Sequence, residues 1–314
     1  LAHKARHTTK IEHQDDAVTV HVALDQKSAF QYQLYLREMA FQTQRMGYMY
    51  GKTVDANLKD EDYEDDKLDG AEYEKDLDVQ ISAIYEPNQQ GNEKAFVEIK
   101  DKMQDKADVV ANLLGLRRLG WIFSHPNRDY TLSASEVMRA AELQAIYGEN
   151  FVTVTVAKNK EGMTEFEAFQ VSEQCVRLFK KGLLKGEHPD KPNILLTKKP
   201  IVCNKDETSE IDTDMLICTV AIKQFKSALH SGFPVANRTG KEHQQNISQL
   251  KKYITLRKKL PFIFRVADFH MLLYLTRHLD LKSDMPNLCQ AVQSGDPELG
   301  EGFKFLINAI AGIE

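Results

Sequence analysis

From Ala17 the chain reads VTVHVAL, apolar and polar side chains alternating as they do on a half-buried strand, and Asp25 follows where a helix N-cap would stand. The pattern predicts a helix over 26–42 that carries Phe30, Leu34 and Phe41 toward one side. RMGYMYGK then reads as a buried strand set off by Gly47 and Gly51. VQISAIYEP is a further strand, ended by Pro87, and over 95–114 Ile99, Met103, Ala107, Val110 and Leu114 recur at helical spacing. Leu119 to Phe123, FVTVTVAK (151–158) and EFEAFQV (165–171), the last two joined across a turn holding Gly162, add three strands. The stretch GEHPDKPNILLTKKP from Gly186 reads as irregular, and MLICTVAI (215–222) as the last strand. Beyond it the pattern is helical: a basic stretch over 241–259, the apolar VADFHMLLYLTRHLDL (266–281), and GFKFLINAIAGI at the end. The fold class is therefore α/β in the α+β sense, a mixed sheet flanked by helices and followed by a mostly helical C-terminal domain.

Two segments carry no such pattern. Over 52–78 acidic residues crowd together and leave little to bury, so this is read as a solvated insertion, with an acidic docking surface as the other reading. Residues 1–16 read as a flexible tail. The chain opens on Leu1 rather than Met, and LAHKARHTTKIEHQDD lacks the apolar core of a secretory signal, so further sequence is expected upstream. His3, His7 and His13 have no partners that would complete a closed set of four metal ligands and are assigned to the tail. The expected organisation is a tail over 1–16, a first domain over 17–230 and a helical domain over 231–314.

Composition narrows the function classes. With 314 residues the chain exceeds the usual size of one domain, and 42% apolar with 28% charged residues is ordinary for a globular protein. No apolar run approaches the roughly 18 residues of a membrane span. A net charge of −5 disfavours nucleic acid, whose phosphates call for clustered Lys and Arg. Cys175, Cys203, Cys218 and Cys289 lie far apart without a C-x-x-C pair, which suits a reducing compartment, cytosol or nucleus.

The chemically informative stretch is LGWIFSHPNRDYTLSASEV, Leu119 to Val137, at a strand end leading into a helix. It resembles the JAMM signature of the MPN metalloproteases. In active members a strand ends in His-x-His-Pro, and Leu-Ser-x-x-Asp follows at fixed distance to supply the third zinc ligand. Here Phe123, Ser124, His125 and Pro126 fall on the first element, and Leu132, Ser133, Ala134, Ser135 and Glu136 on the second. The upstream strand RMGYMYG also matches, and the family's catalytic Glu, three residues before its first glycine, corresponds to Gln44. Three chemical positions are thus altered. Phe123 has no lone pair for zinc, Glu136 would displace its carboxylate by one methylene, and Gln44 is neutral and cannot take a proton from an activated water. Ser133 would help to hold an oxyanion in an active enzyme but cannot drive amide hydrolysis alone. The expectation is a vestigial site, with no zinc, no other cofactor and no isopeptidase activity. His125 reads as a structural histidine, as do His270 and His278, two turns apart on an apolar helix.

Over almost the whole chain, from about Val18, the sequence resembles the nuclear protein localization 4 family. FQTQRMGYMYGK, AIYEP, GLRRLGWIF, FEAFQVSEQC, SGFPVANR and DFHMLLYL, in that order, carry the resemblance. It implies a non-catalytic adaptor that pairs with ubiquitin fusion degradation protein 1 on the valosin-containing AAA+ ATPase, in ubiquitin-dependent and endoplasmic-reticulum-associated degradation. It implies polyubiquitin as a partner, a groove between the MPN and C-terminal domains for an unfolded ubiquitin, and a place in cytoplasm and nucleus with peripheral presence at the reticulum membrane. The family's ATPase-anchoring N-terminal regions have no counterpart here. An extended segment would be held by an apolar groove and by pairing along a strand edge of the MPN sheet. The basic stretch Lys251, Lys252, Arg257, Lys258 and Lys259 reads as a solvated helix face, with an acidic partner as the other reading. Two other classes remain: a structural MPN subunit of a large assembly, and an atypical zinc isopeptidase.

Overall fold

The computed structural model describes residues 9–56 and 76–313. His3, His7 and most of the acidic insertion lie outside the described residues. Inside the segment read as a tail, β1 (Lys10–Ile11) pairs with a strand of a small sheet, and Ile11 is buried in the main core. Then come β2 (Thr19–Asp25), α1 (Gln26–Glu38), β3 (Met46–Asp55) and β4 (Leu77–Tyr85), so strand pairing extends into both ends of the insertion. A hairpin of β5 (Gln89–Gly91) and β6 (Phe96–Glu98) precedes α2 (Lys102–Leu113). It takes the place of the first turns of the helix expected over 95–114, so Ile99 lies outside the helix.

The central region continues with β7 (Arg117–Ser124), α3 (Ala134–Tyr147), β8 (Val152–Lys158), β9 (Thr164–Val171) and α4 (Glu173–Lys180). The stretch read as irregular is instead ordered: β10 (Leu184–Glu187) and β11 (Ile194–Cys203) pair with each other, and β12 (Asp206–Asp212) and β1 pair with β11. Alternation fails to announce β11 because Lys198, Lys199 and Pro200 sit where its register breaks. After β13 (Ile217–Phe225) the chain is helical: α5 (Ile247–Leu256), α6 (Phe262–Val266), α7 (Phe269–Leu275), α8 (Asp284–Ser294) and α9 (Pro297–Ala311). Among the described residues no helix is long and apolar enough to cross a membrane.

The α+β class read from sequence is what the structure has, but the mixed sheet is closed. Its strands run β13-β2-β4-β3-β7-β8-β9, and β9 returns to β13. Closure removes the edge expected for pairing with an extended guest; among the described residues, free edges belong to the small sheet and the β5–β6 hairpin. One side chain set from these strands, including Val22, Met49, Ile81, Ile122, Val154 and Val220, forms an inner core with Tyr32 and Leu36 of α1. The alternate set, Tyr48, Tyr50, Trp121 and Phe123 among it, faces a second core shared with α2, α3 and α7. Gly51 permits the close crossing of β3 and β4, where a Cβ would lie 1.9 Å from the Gln80 carbonyl oxygen.

The face of α1 differs from the expected one. Phe30 and Leu34 are exposed, whereas Tyr32, Tyr35 and Leu36 are buried. Both tyrosines can go inside because their hydroxyls are satisfied: Tyr32 donates to the Arg45 carbonyl at 2.8 Å, and Tyr35 accepts from the Thr239 amide at 2.9 Å. The helix also stops early, with Ala40 and Phe41 in left-handed backbone.

The helical C-terminal part is joined to the barrel through buried charge. Glu86, 1% exposed, accepts from Arg45 Nε at 2.9 Å and from Arg238 Nε at 2.9 Å. Asn237, in left-handed backbone, donates to the Glu86 carbonyl at 2.9 Å, and Tyr50 stacks on Phe269 at 5.6 Å. Burial alone would raise the Glu86 pKa; Arg238 and Arg45 more than reverse this and hold it below its ordinary value of 4.5. A depressed carboxylate stabilises the fold above its unfolded-state pKa and ceases to as pH falls through the folded one. Glu86→Leu, which leaves two buried guanidiniums unpaired, is expected to cost about 3–5 kcal/mol at neutral pH. In urea titrations that difference should shrink as pH is lowered below 4.5; a constant difference would mean Glu86 is already protonated in the native protein.

Candidate functional site

The positions singled out by the motif lie around the end of β7 and the start of α3. Gln44 sits between the end of α1 and the start of β3 and is 1% exposed. Its Oε1 accepts from Ser124 Oγ at 2.7 Å, and its Nε2 donates to the carbonyls of Glu93 at 3.0 Å and Phe41 at 3.3 Å. One amide thereby ties the α1 terminus, the β5–β6 loop and the end of β7. A carboxylate could accept from Ser124 but could not donate to the two carbonyls.

Phe123 is fully buried on the outer face of the barrel, 4.5 Å from the Trp121 ring centroid and 5.9 Å from that of Phe96. Its alternate neighbour His125 comes within 6.3 Å, ring to ring. His125 Nδ1 bonds the Pro126 carbonyl at 2.8 Å, and its amide donates to Val156 O, prolonging the pairing of β7 with β8. Burial, then the nearby Arg128 charge, depress its pKa, so the ring is neutral at neutral pH.

Ser133 and Glu136 form a capping box at the start of α3. Ser133 Oγ accepts from the Glu136 amide at 3.2 Å, and Glu136 Oε2 accepts from the Ser133 amide at 2.8 Å. Arg128 completes the cluster with two bonds to the Glu136 carboxylate, at 2.8 and 2.7 Å, and one to the Thr131 carbonyl. Arg128 was not singled out from sequence; the signal was a cation in the turn preceding the capping box. His125 and Arg128 open onto a cleft of about 700 Å³ that Tyr130, Lys158 and Glu167 also line.

The donor set does not fit a catalytic zinc. Phe123 offers no lone pair, the Gln44 amide is committed at both ends, and both Glu136 oxygens accept from Arg128. His125 remains as a single nitrogen donor. Among the described residues no three His, Cys, Asp or Glu side chains are grouped to hold a metal. The two C-terminal histidines do not converge either: His270 is buried and His278 exposed, and each meets a different aromatic ring, Phe269 and Tyr274. His13 is exposed beside Asp15.

Surfaces elsewhere are better candidates. Clefts open on two sides of the seam between barrel and helices. One, of about 430 Å³, lies between Gln31 and Glu38 of α1 and Tyr253 and Leu256 of α5, floored by Phe233 and Val235. The other, of about 360 Å³, lies between Gln80 and Ser82 of β4 and Val292 of α8. On α9, Leu299, Phe305 and Leu306 are 53%, 83% and 44% exposed. The sequence pattern of α9 is too uniformly apolar to tell this face from the buried one, to which Ile307 and Ala311 belong.

Residues 45–210 and 213–306 match the model of the NPL4 family. The chain is 34% identical over 319 residues to an NPL4-like protein of Oryza sativa subsp. japonica, covering 96% of this chain and 71% of that protein. It is 33% identical to the nuclear protein localization protein 4 homolog of Dictyostelium discoideum, over 95% of this chain and 49% of that one. With the Homo sapiens homolog identity is 25%, over 83% and 49%. The chain thus spans about half the length of several curated relatives that it matches.

Gln44→Glu tests whether this position is structural. The variant turns a carboxylate toward two carbonyl oxygens, and an unsatisfied buried pair of this kind is expected to cost about 2–3 kcal/mol at pH 8. Protonation restores one donor, so part of the loss should return at pH 5 in denaturant titrations. A variant as stable as the parent at pH 8 would show that position 44 tolerates charge.

Proposed function

The chain belongs to the NPL4 family, and from that premise we propose that it is a non-catalytic, polyubiquitin-binding adaptor that recruits substrates to an AAA+ ATPase. The family resemblance further suggests ubiquitin fusion degradation protein 1 as partner, the valosin-containing ATPase as the machine served, and ubiquitin-dependent degradation in cytoplasm, nucleus and at the reticulum membrane as the setting. In this reading Gln44, Phe123, His125, Ser133 and Glu136 are a vestigial MPN site. Its support is chemical: the side chains at those positions are spent on packing, a helix cap and a three-way hydrogen-bond bridge.

The observation that carries the binding function is the apolar face of α9. Phe305 is 83% exposed, with Leu299 and Leu306 exposed on the same helix, and large apolar side chains left in solvent on one element support a docking surface there. The seam clefts support a second contact, with an extended segment gripped between barrel and helices rather than paired along a barrel edge.

The seam also bears on how this is tested. A cut between residues 230 and 231 would separate Glu86 from Arg238 and Tyr50 from Phe269. Loss of binding in the halves would therefore follow from unfolding as readily as from a divided site, and point substitutions are the cleaner tool. Phe305→Ser combined with Leu306→Ser removes exposed side chains and should leave the thermal midpoint within about 2 °C. Binding to long ubiquitin chains, read by interferometry, should weaken about tenfold or more. Unchanged affinity would remove α9 from the interface; no binding by the parent chain would sink the adaptor reading. Incubation with ubiquitin chains and added zinc should give no cleavage.

A further inference from the structure

A second surface has a different chemistry. Between Glu242 and Asp268 the sequence holds six Lys and Arg and no Asp or Glu, in a chain whose net charge is −5. Four of the six are lysines exposed on α5 and the turn after it: Lys251, Lys252, Lys258 and Lys259. Leucines are interleaved with them, Leu256 at 75% and Leu260 at 38% exposed. A cation suits a helix C-terminus, which accounts for Arg257, the C-cap of α5 stacked over Tyr253 at 5.1 Å, and Lys251 donates to the Gly312 carbonyl at 2.8 Å; Lys252, Lys258, Lys259 and the leucines are left unexplained.

The turn is held rigidly. The Lys258 amide donates to Thr255 O at 3.2 Å and the Leu260 amide to Arg257 O at 2.9 Å. Arg265 reaches back from α6, its Nε donating to Leu260 O and its Nη2 to Lys258 O, each at 2.7 Å. The backbone that carries these side chains is therefore fixed. Lys258, Lys259 and Leu260 line neither of the clefts at the seam. Exposed cations with apolar side chains interleaved are the pattern of an interfacial membrane contact. Glu38, bonded to His243 at 2.9 Å, and Glu242 line the α1–α5 cleft together with Lys252.

We propose that this turn is a docking site for an anionic phospholipid surface, the lysines contacting headgroup phosphates while Leu256 and Leu260 enter the boundary below them. Exposed cations each add attraction near a negatively charged bilayer, and two apolar side chains supply shallow insertion. The inference concerns another ligand than the ubiquitin reading, and its 258–260 turn lines neither seam cleft.

The test uses the full chain in co-sedimentation with phosphatidylcholine vesicles, with and without phosphatidylserine. Binding is expected on the phosphatidylserine vesicles alone and should fall steeply with salt. Lys258→Ala with Lys259→Ala should lower partitioning about tenfold or more. Leu256→Ser with Leu260→Ser should weaken it while leaving its salt dependence in place. All four positions are exposed, so the thermal midpoint serves as the control that each variant is folded. Equal sedimentation with both vesicle types, or no loss in the lysine variant, would overturn the proposal. So would binding to soluble polyglutamate as tight as to vesicles and indifferent to the leucine substitutions, which would identify an acidic polypeptide as the ligand.

Discussion

The structure hangs on one buried carboxylate. Glu86 lies at the end of β4 where the barrel meets the C-terminal region, and its negative charge is matched by Arg45 from the same barrel and Arg238 from the segment that leaves it. Desolvating a carboxylate without partners is prohibitive, so Glu86 can be buried only while both elements are in place. Tyr35 of α1 lies under both guanidiniums, 5.2 Å from Arg45 and 4.5 Å from Arg238, which carries the constraint to a third element. The same chain step links this junction to the candidate site, because Gln44 precedes Arg45 and both hold Ser124.

Two other carboxylates repeat the device with backbone donors. Asp268 accepts from the amides of Gly232, Phe233, His270 and Met271 and from the Tyr253 hydroxyl, so it caps α7 while fixing the 231–238 turn. Asp25 caps α1 and takes the Ser227 amide, closing the path from β13 into that turn. The joint between barrel and helices is therefore a set of satisfied buried charges rather than a linker. The seam clefts open beside it and are walled by elements that it holds at fixed spacing.

What the sequence disclosed and what it hid follow from the physics of each signal. Strands with one alternating pattern, such as β2 and β8, were legible because alternation is itself the consequence of a two-sided sheet. Barrel closure was not, since the parallel pairing of β13 with β2 joins residues about 200 positions apart and leaves no local trace. The buried face of α1 was misjudged because hydrophobicity ranks Phe30 above Tyr32, whereas burial is decided by whether a hydroxyl finds a partner. The strand β11 was lost in a run of lysines that point outward at a bulge. At the candidate site, the residue types were readable and their contacts were not: the pairing of Arg128 with Glu136 depends on a turn whose shape the sequence does not announce.

The spacing of the motif has its own structural explanation, which does not need the chemistry the spacing usually signals. In an active metalloprotease the strand end and the helix start must be fixed relative to each other to hold an ion. Here the same two elements are fixed by other means. The Ser133–Glu136 box satisfies the first amides of α3, Arg128 ties that box to the turn leaving β7, and Phe123 fills the layer between them. Each of these contacts requires the same separation along the chain as the ligand set would, because the separation is a property of the strand, turn and helix that it spans. The chemistry open to these positions is decided by four side-chain groups, which in this chain are a phenyl ring, a committed amide, a neutral imidazole and a carboxylate already claimed by a guanidinium.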